Sequence, residues 1–224
     1  YTYFQIRDDR PINFSVPTGN FGDVYAGYLS KKMGLPINKL IVATNQNDIL
    51  HRAIYNGNYE AENVTETISP SMDIQIASNF ERLIYDLNDC NDNETRKIMN
   101  GIKDKGKYII SKNNMEKINK DFLSASINEK EVLDIIKEVY TKYGIILDPH
   151  SAIGFGSLVK VKIDGNNIVL ATAHPCKFPD AINKSIGVKP NLPDELKYIM
   201  DEKENYDIIS NNLGKAQQYI KEKI

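Results

Sequence analysis

The segment Ser15-Val16-Pro17-Thr18-Gly19-Asn20-Phe21-Gly22-Asp23-Val24-Tyr25-Ala26-Gly27-Tyr28 constrains the fold of this chain more than any other. An apolar extended stretch, residues 12–16, stops at Pro17, passes Gly19 and Gly22, and enters a helical pattern. Glycines let the backbone approach an anion closely and take up positive φ. A helix that follows turns its free N–H groups and the positive end of its dipole back towards the loop. Residues 19–22 therefore have the layout of a phosphate cradle. Main-chain N–H groups of Gly19 and Gly22 and their neighbours do the binding, Asn20 and Phe21 order the loop, and Asp23 bonds loop amides or caps the helix. Short glycine motifs are weak signals, and the loop alone is equally compatible with a tight turn that holds no ligand.

The organisation downstream is that of an α/β protein. The helix after the loop runs to about Met33 and ends at Gly34-Leu35-Pro36. Residues 39–44 form an apolar, β-branched run that reads as a buried strand, and 47–55 as a short helix. Strand, helix, strand, helix predicts an open, mostly parallel sheet flanked by helices. Residues 56–71 form a polar loop long enough to suggest a functional role. Ser78-x-x-Glu81 has the pattern of a capping box ahead of Leu83, Ile84 and Leu87. Residues 90–127 are rich in Lys and Asn and weakly patterned; they read as a small insertion, with a strand at 122–127. Asn128 caps an amphipathic helix that Gly144 stops, and Asp148-Pro149 opens another. After the Asp164-Gly165 turn comes a last strand, 167–171. The tail from Leu192 onward reads as helical and amphipathic, with no linker before it.

At 224 residues the chain is long enough for a sizeable core. Its net charge of −2 points to no nucleic acid or other polyanion partner. Cys90 and Cys176 stand far apart, which suits a reduced, cytoplasmic protein better than a disulfide framework. No signal-peptide pattern opens the sequence, and no apolar run is long enough to span a membrane. The three histidines show no metal-ligand spacing.

Several blocks, in a fixed order from residue 17 to about 180, give a longer match than an anion loop would. They are Pro17-Thr18-Gly19-Asn20-Phe21-Gly22-Asp23, Ala26-Gly27-Tyr28, Lys31-Lys32-Met33-Gly34-Leu35-Pro36, Ile41-Val42-Ala43-Thr44-Asn45 and Asn47-Asp48-Ile49-Leu50. Then come Ser69-Pro70-Ser71-Met72-Asp73-Ile74, Ser78-Asn79-Phe80-Glu81-Arg82-Leu83, Leu147-Asp148-Pro149-His150-Ser151-Ala152-Ile153-Gly154 and Thr172-Ala173-His174-Pro175-Cys176-Lys177-Phe178. Together they resemble threonine synthase, in its longer, fungal-like branch.

The resemblance implies a fold-type-II pyridoxal 5′-phosphate (PLP) enzyme, built like tryptophan synthase β. It implies conversion of O-phospho-L-homoserine and water to L-threonine and phosphate. On this reading the loop phosphate belongs to PLP, with Gly19, Asn20, Phe21, Gly22 and Asp23 as its cradle. Thr172, at a strand end where ligands bind in open α/β sheets, faces the pyridine nitrogen. A strand-end threonine bonded to backbone explains the same residue without a ligand. Asn79, Arg82 and Lys177 become substrate-binding candidates; Arg82 offers a fork for phosphate or carboxylate. A surface ion pair for Arg82, a structural role for His174 and solvation for Lys177 are the plainer alternatives. Ser69, Ser71 and Asp73 line the same cleft or form a structural turn. Asp148 and His150 are explained by helix capping.

The family's lysine, which carries the cofactor and moves protons, precedes the glycine loop. Here the first lysine is Lys31, after the loop, so the chain is expected to contain no catalytic residue of its own. The apolar start, Tyr1-Thr2-Tyr3-Phe4-Gln5-Ile6, looks like the end of a helix. Residues 1–224 are thus expected to be the C-terminal part of an incomplete PLP-binding catalytic domain. Its partner would be the missing N-terminal half, and the isolated chain would self-associate through exposed strand edges. A non-catalytic phosphate- or PLP-binding paralogue, or a phospho-lyase-like relative, is the alternative. A nucleotide-binding Rossmann unit is disfavoured, because the loop lacks GxGxxG spacing and no acidic residue ends the strand at 39–44.

Overall fold

The computed structural model describes residues 1–6 and 9–224. The described residues fall into two compact units, Tyr1–Pro190 and Asn191–Ile224. In chain order, the first begins with α1 (Thr2–Gln5), β1 (Ile12–Pro17), α2 (Gly22–Lys32), β2 (Ile37–Thr44), α3 (Ile49–Asn56) and β3 (Asn58–Glu60). It continues with α4 (Phe80–Leu87), α5 (Asp92–Lys105), β4 (Lys107–Ile109), α6 (Lys112–Asp121) and β5 (Phe122–Ser126). Next are α7 (Glu129–Tyr143), α8 (Pro149–Val161), β6 (Asn166–Val169) and α9 (Pro179–Ile186).

Four strands make one parallel sheet in the order β5-β2-β1-β6. A parallel sheet needs both faces covered, and the two apolar clusters supply the covers. Phe21, Val24, Leu40, Val42, Ile54, Phe80, Leu83 and Phe122 gather the helices α2, α3 and α4 on one face. Ala43, Ile127, Val132, Ile136, Ala152 and Ile153 gather α7 and α8 on the other. Successive residues of β2 thus serve opposite faces, as the pleat requires.

Buried Asn13 fixes the register at one end of the sheet. Its amide group donates to the carbonyl of Asp164 (3.0 Å) and to Asn167 Oδ1 (2.9 Å), while its own Oδ1 accepts from Asn38 and the Lys39 amide. α8 lies close against β1: the buried Ser15 hydroxyl donates to the Gly154 carbonyl at 2.6 Å. A Cβ on Gly154 would stand 3.0 Å from Val169 and 3.1 Å from Pro17. The small residue lets the start of α8 lie beside the C-terminal ends of β1 and β6.

Residues 90–127 form α5, β4, α6 and β5, with Asn91 and Ser111 capping the helices and β5 completing the main sheet. β4 pairs with β3 in a short antiparallel ribbon inside the region read as loop. The expected capping box at α4 does not form. The cap residue is Asn79, with no side-chain cap bond, and both the amide and the hydroxyl of Ser78 go to Asn20 Oδ1.

The unit Asn191–Ile224 is helical only in part: a 3-10 stretch covers Asp194–Met200 and α10 covers Leu213–Lys223. The intervening Ile208-Ile209 and Ser210-Asn211-Asn212 disfavour a continuous helix, and Asn212 caps α10 instead. No described helix is long and apolar enough to cross a membrane.

Candidate functional site

β1 delivers the glycine loop. Thr18 prolongs the pairing, its amide donating to the Ala43 carbonyl at 2.7 Å and its hydroxyl to the Val16 carbonyl. The chain then passes Gly19 and Asn20 and turns into α2 through Phe21, whose φ of 64° and ψ of 5° are left-handed. A bulky residue in that region is an outlier. Burial holds it there: the Phe21 side chain is fully buried, edge-on to Phe80 at 5.2 Å and beside Phe122 at 6.0 Å. The phenyl ring is therefore an anchor in the core, and only the main chain of Phe21 is turned to the loop.

Two segments clamp the loop from outside. The turn Pro70–Met72 presses on Gly19, and Ser78 and Asn79 grip Asn20. The Asn20 carbonyl accepts from the Asn79 side chain at 3.1 Å and from its amide at 3.3 Å. Among the described residues, no protein acceptor takes the main-chain N–H groups of Gly19, Asn20 or Phe21. They lie at the N-terminal end of α2, where the helix dipole is positive.

A cavity of about 160 Å³ opens beside Gly19, lined also by Pro17, Ser71, Met72, His150, Thr172 and Lys177. It sits past the C-terminal ends of β1 and β6. Thr172 is exposed, three residues beyond the end of β6, and its amide donates to the Ser151 hydroxyl at 3.3 Å. That hydroxyl in turn donates to Asp148. Asp148 caps α8, accepting from the amides of His150 (2.9 Å) and Ser151 (3.4 Å), and also accepts from His150 Nδ1 at 3.0 Å. Burial alone would push this carboxyl up; the hydrogen bonds from His150 and Ser151 outweigh it and hold the group below its ordinary value. His150 is buried, its ring 4.9 Å from that of Phe178, and among the described residues its Nε2 has no partner.

Of the sequence-predicted residues, Gly19, Thr172 and Lys177 come together at this cavity. Asn20, Phe21, Gly22 and Asn79 form the loop and its clamp; Asn79 also lies over Gly22. Asp23 is exposed in the first turn of α2, facing a separate apolar pocket of about 230 Å³ with Phe14, Leu35 and Leu40. Arg82 is exposed in another groove, with Tyr25, Glu81 and Arg96. His174 caps the turn Pro175–Lys177. Ser71 lines the cavity, whereas Ser69 and Asp73 belong to a polar cluster behind it. There Asp73 accepts from Asn45 (2.7 Å), Asn47 (2.9 Å) and the Thr67 hydroxyl (2.7 Å) and amide (2.8 Å). The described residues contain no cluster of metal-ligating side chains.

Sequence reasoning gave Asp148 its capping role, which the structure shows, but missed that the same carboxylate orients His150 at the cavity wall. The only signal in the sequence is a histidine two residues after the cap.

Residues 151–220 match the family model described as threonine synthase, C-terminal. The chain is 40% identical to threonine synthase of Pseudomonas aeruginosa over 94% of its own length and 46% of that protein. It is 40% identical to threonine synthase of Saccharomyces cerevisiae over 88% of its length and 44% of that protein. The crystal structure of PLP-bound threonine synthase from Brucella melitensis superposes with a TM-score of 0.90 at 43% identity, covering 99% of this chain and 49% of that one. The chain thus spans about half the length of the relatives it matches.

Proposed function

The chain belongs to the threonine synthase family, and from that premise we propose that it forms the cofactor-cradling half of an enzyme making L-threonine from O-phospho-L-homoserine. The observation that carries this reading is one cavity where Gly19, beside free main-chain amides at the start of α2, meets Thr172 at the strand end. These residues suit a phosphorylated pyridine. Free N–H groups and the helix dipole attract a phosphate, the missing Cβ at Gly19 lets the turn Pro70–Met72 close against the loop, and Thr172 offers a neutral hydroxyl.

When bound, PLP supplies the electron sink that lets a proton leave Cα of the substrate. The protein's part is to place it and tune it. The amides of Gly19, Asn20 and Phe21 hold the phosphate, while Asn20, gripped by Ser78 and Asn79, fixes their directions. The Thr172 hydroxyl meets the pyridine nitrogen. A carboxylate there would keep that nitrogen protonated; a hydroxyl leaves it neutral, which weakens the sink and suits elimination over transamination. Lys177, on the rim of the same cavity, is a candidate contact for the substrate's anionic groups, while Arg82 stands in a separate groove beside Ser78 and Asn79. The lysine base is supplied from outside residues 1–224. Alone, this chain is inactive, and the outer edges of β5 and β6 favour self-association.

The test is made in the complete enzyme. Release of phosphate from O-phospho-L-homoserine, with threonine formation, should collapse when Gly19→Val and Thr172→Val are combined. Turnover persisting in that variant would sink the assignment. Sedimentation of the isolated chain as a stable monomer would refute the self-association.

A further inference from the structure

We propose that His150 is a ligand contact of this site, its Nε2 accepting a hydrogen bond from an O–H group of the molecule bound between Gly19 and Thr172. The inference rests on the cradle reading above and adds a residue to it.

The first support is an unsatisfied atom. His150 is 4% exposed, yet its Nε2 has no hydrogen-bond partner among the described residues. Buried polar atoms are nearly always paired, and one left alone at a cavity wall marks a place where a partner binds. The wall is that of the cavity lined by Gly19, Thr172 and Lys177.

The second support is the way the ring is held. Asp148 Oδ1 takes both the His150 amide and Nδ1. A carboxylate only accepts, so Nδ1 must carry the proton. In the neutral ring this leaves Nε2 as a lone-pair acceptor on a side chain that lines the cavity. Phe178 fixes one side of the ring. The other oxygen of Asp148 takes the Ser151 hydroxyl, which accepts the Thr172 amide. One buried carboxylate therefore orients both His150 and Thr172. A residue needed only to start α8 would not require an imidazole at this position.

The probe is pyridoxine 5′-phosphate, which has the phosphate, the pyridine, a ring hydroxyl and a hydroxymethyl group but no aldehyde to label surface lysines. The complete enzyme, freed of its cofactor, is prepared with 15N-labelled histidine and 15N backbone, and His150→Gln assigns the ring signals. In the cofactor-free enzyme, Nδ1 should resonate as protonated and Nε2 as bare. Adding the probe should move the Gly19, Asn20 and Phe21 amides and shift Nε2 towards the hydrogen-bonded position. His150→Phe should weaken binding roughly three- to tenfold, and His150→Gln, which keeps an acceptor, by less.

Amides that move while Nε2 stays fixed would overturn the His150 contact and leave the cradle standing. Amides that do not move would remove the cradle and this inference with it. Inorganic phosphate alone shifting Nε2 equally would also overturn it, because the partner would then be an anion and the nitrogen a donor. The measurement on the unsubstituted enzyme does not depend on either variant folding.

Discussion

The carbonyl oxygen of Ser71 lies 2.6 Å from the point a Cβ on Gly19 would occupy, with the Met72 Cα at 3.2 Å. The obstacle is backbone, in a turn that cannot swing aside like a long side chain. Gly19→Ala should therefore displace either the loop or the turn, at a cost of about 1–3 kcal/mol in unfolding free energy. PLP affinity of the complete enzyme should fall with it. Gly101 is the control: it lies inside α5 with nothing within 4 Å of its Cβ position. Gly101→Ala should stabilise by roughly 0.5–1 kcal/mol. Urea denaturation of the two variants gives opposite signs, and a neutral Gly19→Ala would contradict the clamp.

Phe21 combines a strained backbone with a fully buried ring. Phe21→Ala empties the space between Phe80 and Phe122 and should cost about 3–5 kcal/mol. Phe21→Gly opens the same cavity but removes the left-handed penalty, about 1–2 kcal/mol for an L-residue. The glycine variant should therefore be the more stable of the two, an unusual order for a core position. An alanine variant more stable than the glycine one would show that the φ of 64° is not retained.

How far the sequence discloses this arrangement depends on the range of the forces involved. The strand, loop and helix from β1 to α2 were legible because glycine, proline and apolar runs act locally. Asn128 was legible as a cap, and the structure completes it with Glu131 as a capping box. The same pattern at Ser78 and Glu81 misled, because a distant group, the Asn20 side chain, competes successfully for Ser78. Residues 90–127 hid two capped helices in a charged run whose amphipathic faces are short of apolar residues. Gly19 and Thr172 were readable as site candidates from loop chemistry, strand ends and resemblance. His150 was not, since helix capping accounted for Asp148 and its neighbours locally. The cavity exists only once the segments at 17–19, 71–72, 150 and 172–178 meet.

Asp73 holds the clamp from behind. Its carboxylate receives four hydrogen bonds, from Asn45, Asn47 and both donors of Thr67, immediately after the turn that presses on Gly19. Asp73→Ala leaves those donors without their acceptor and should destabilise by about 2–4 kcal/mol. The local signature is more telling than the total. Amide exchange should quicken across residues 61–73 and at the Gly19 loop while β2 stays protected. Uniform loss of protection over the whole sheet would show that Asp73 supports the core instead of the loop.

Asp148 gives the site a pH dependence with a definite sign. Burial opposes its ionisation, but hydrogen bonds from His150 and Ser151 win, so its folded-state pKa lies below the ordinary 3.8. In acid the unfolded chain binds this proton first, so the ionised group stabilises the fold at higher pH. That stabilisation is complete above the ordinary value and disappears as pH falls through the lower folded one. Asp148→Asn still caps α8 but has no charge to lose. The difference in unfolding free energy between the parent and Asp148→Asn should be flat above roughly pH 5 and shrink below it. Denaturation series at stepped pH measure that difference directly. A gap that widened towards acid would mean that Asp148 is held protonated in the folded chain, with Nδ1 of His150 no longer facing a carboxylate and its Nε2 no longer fixed as an acceptor.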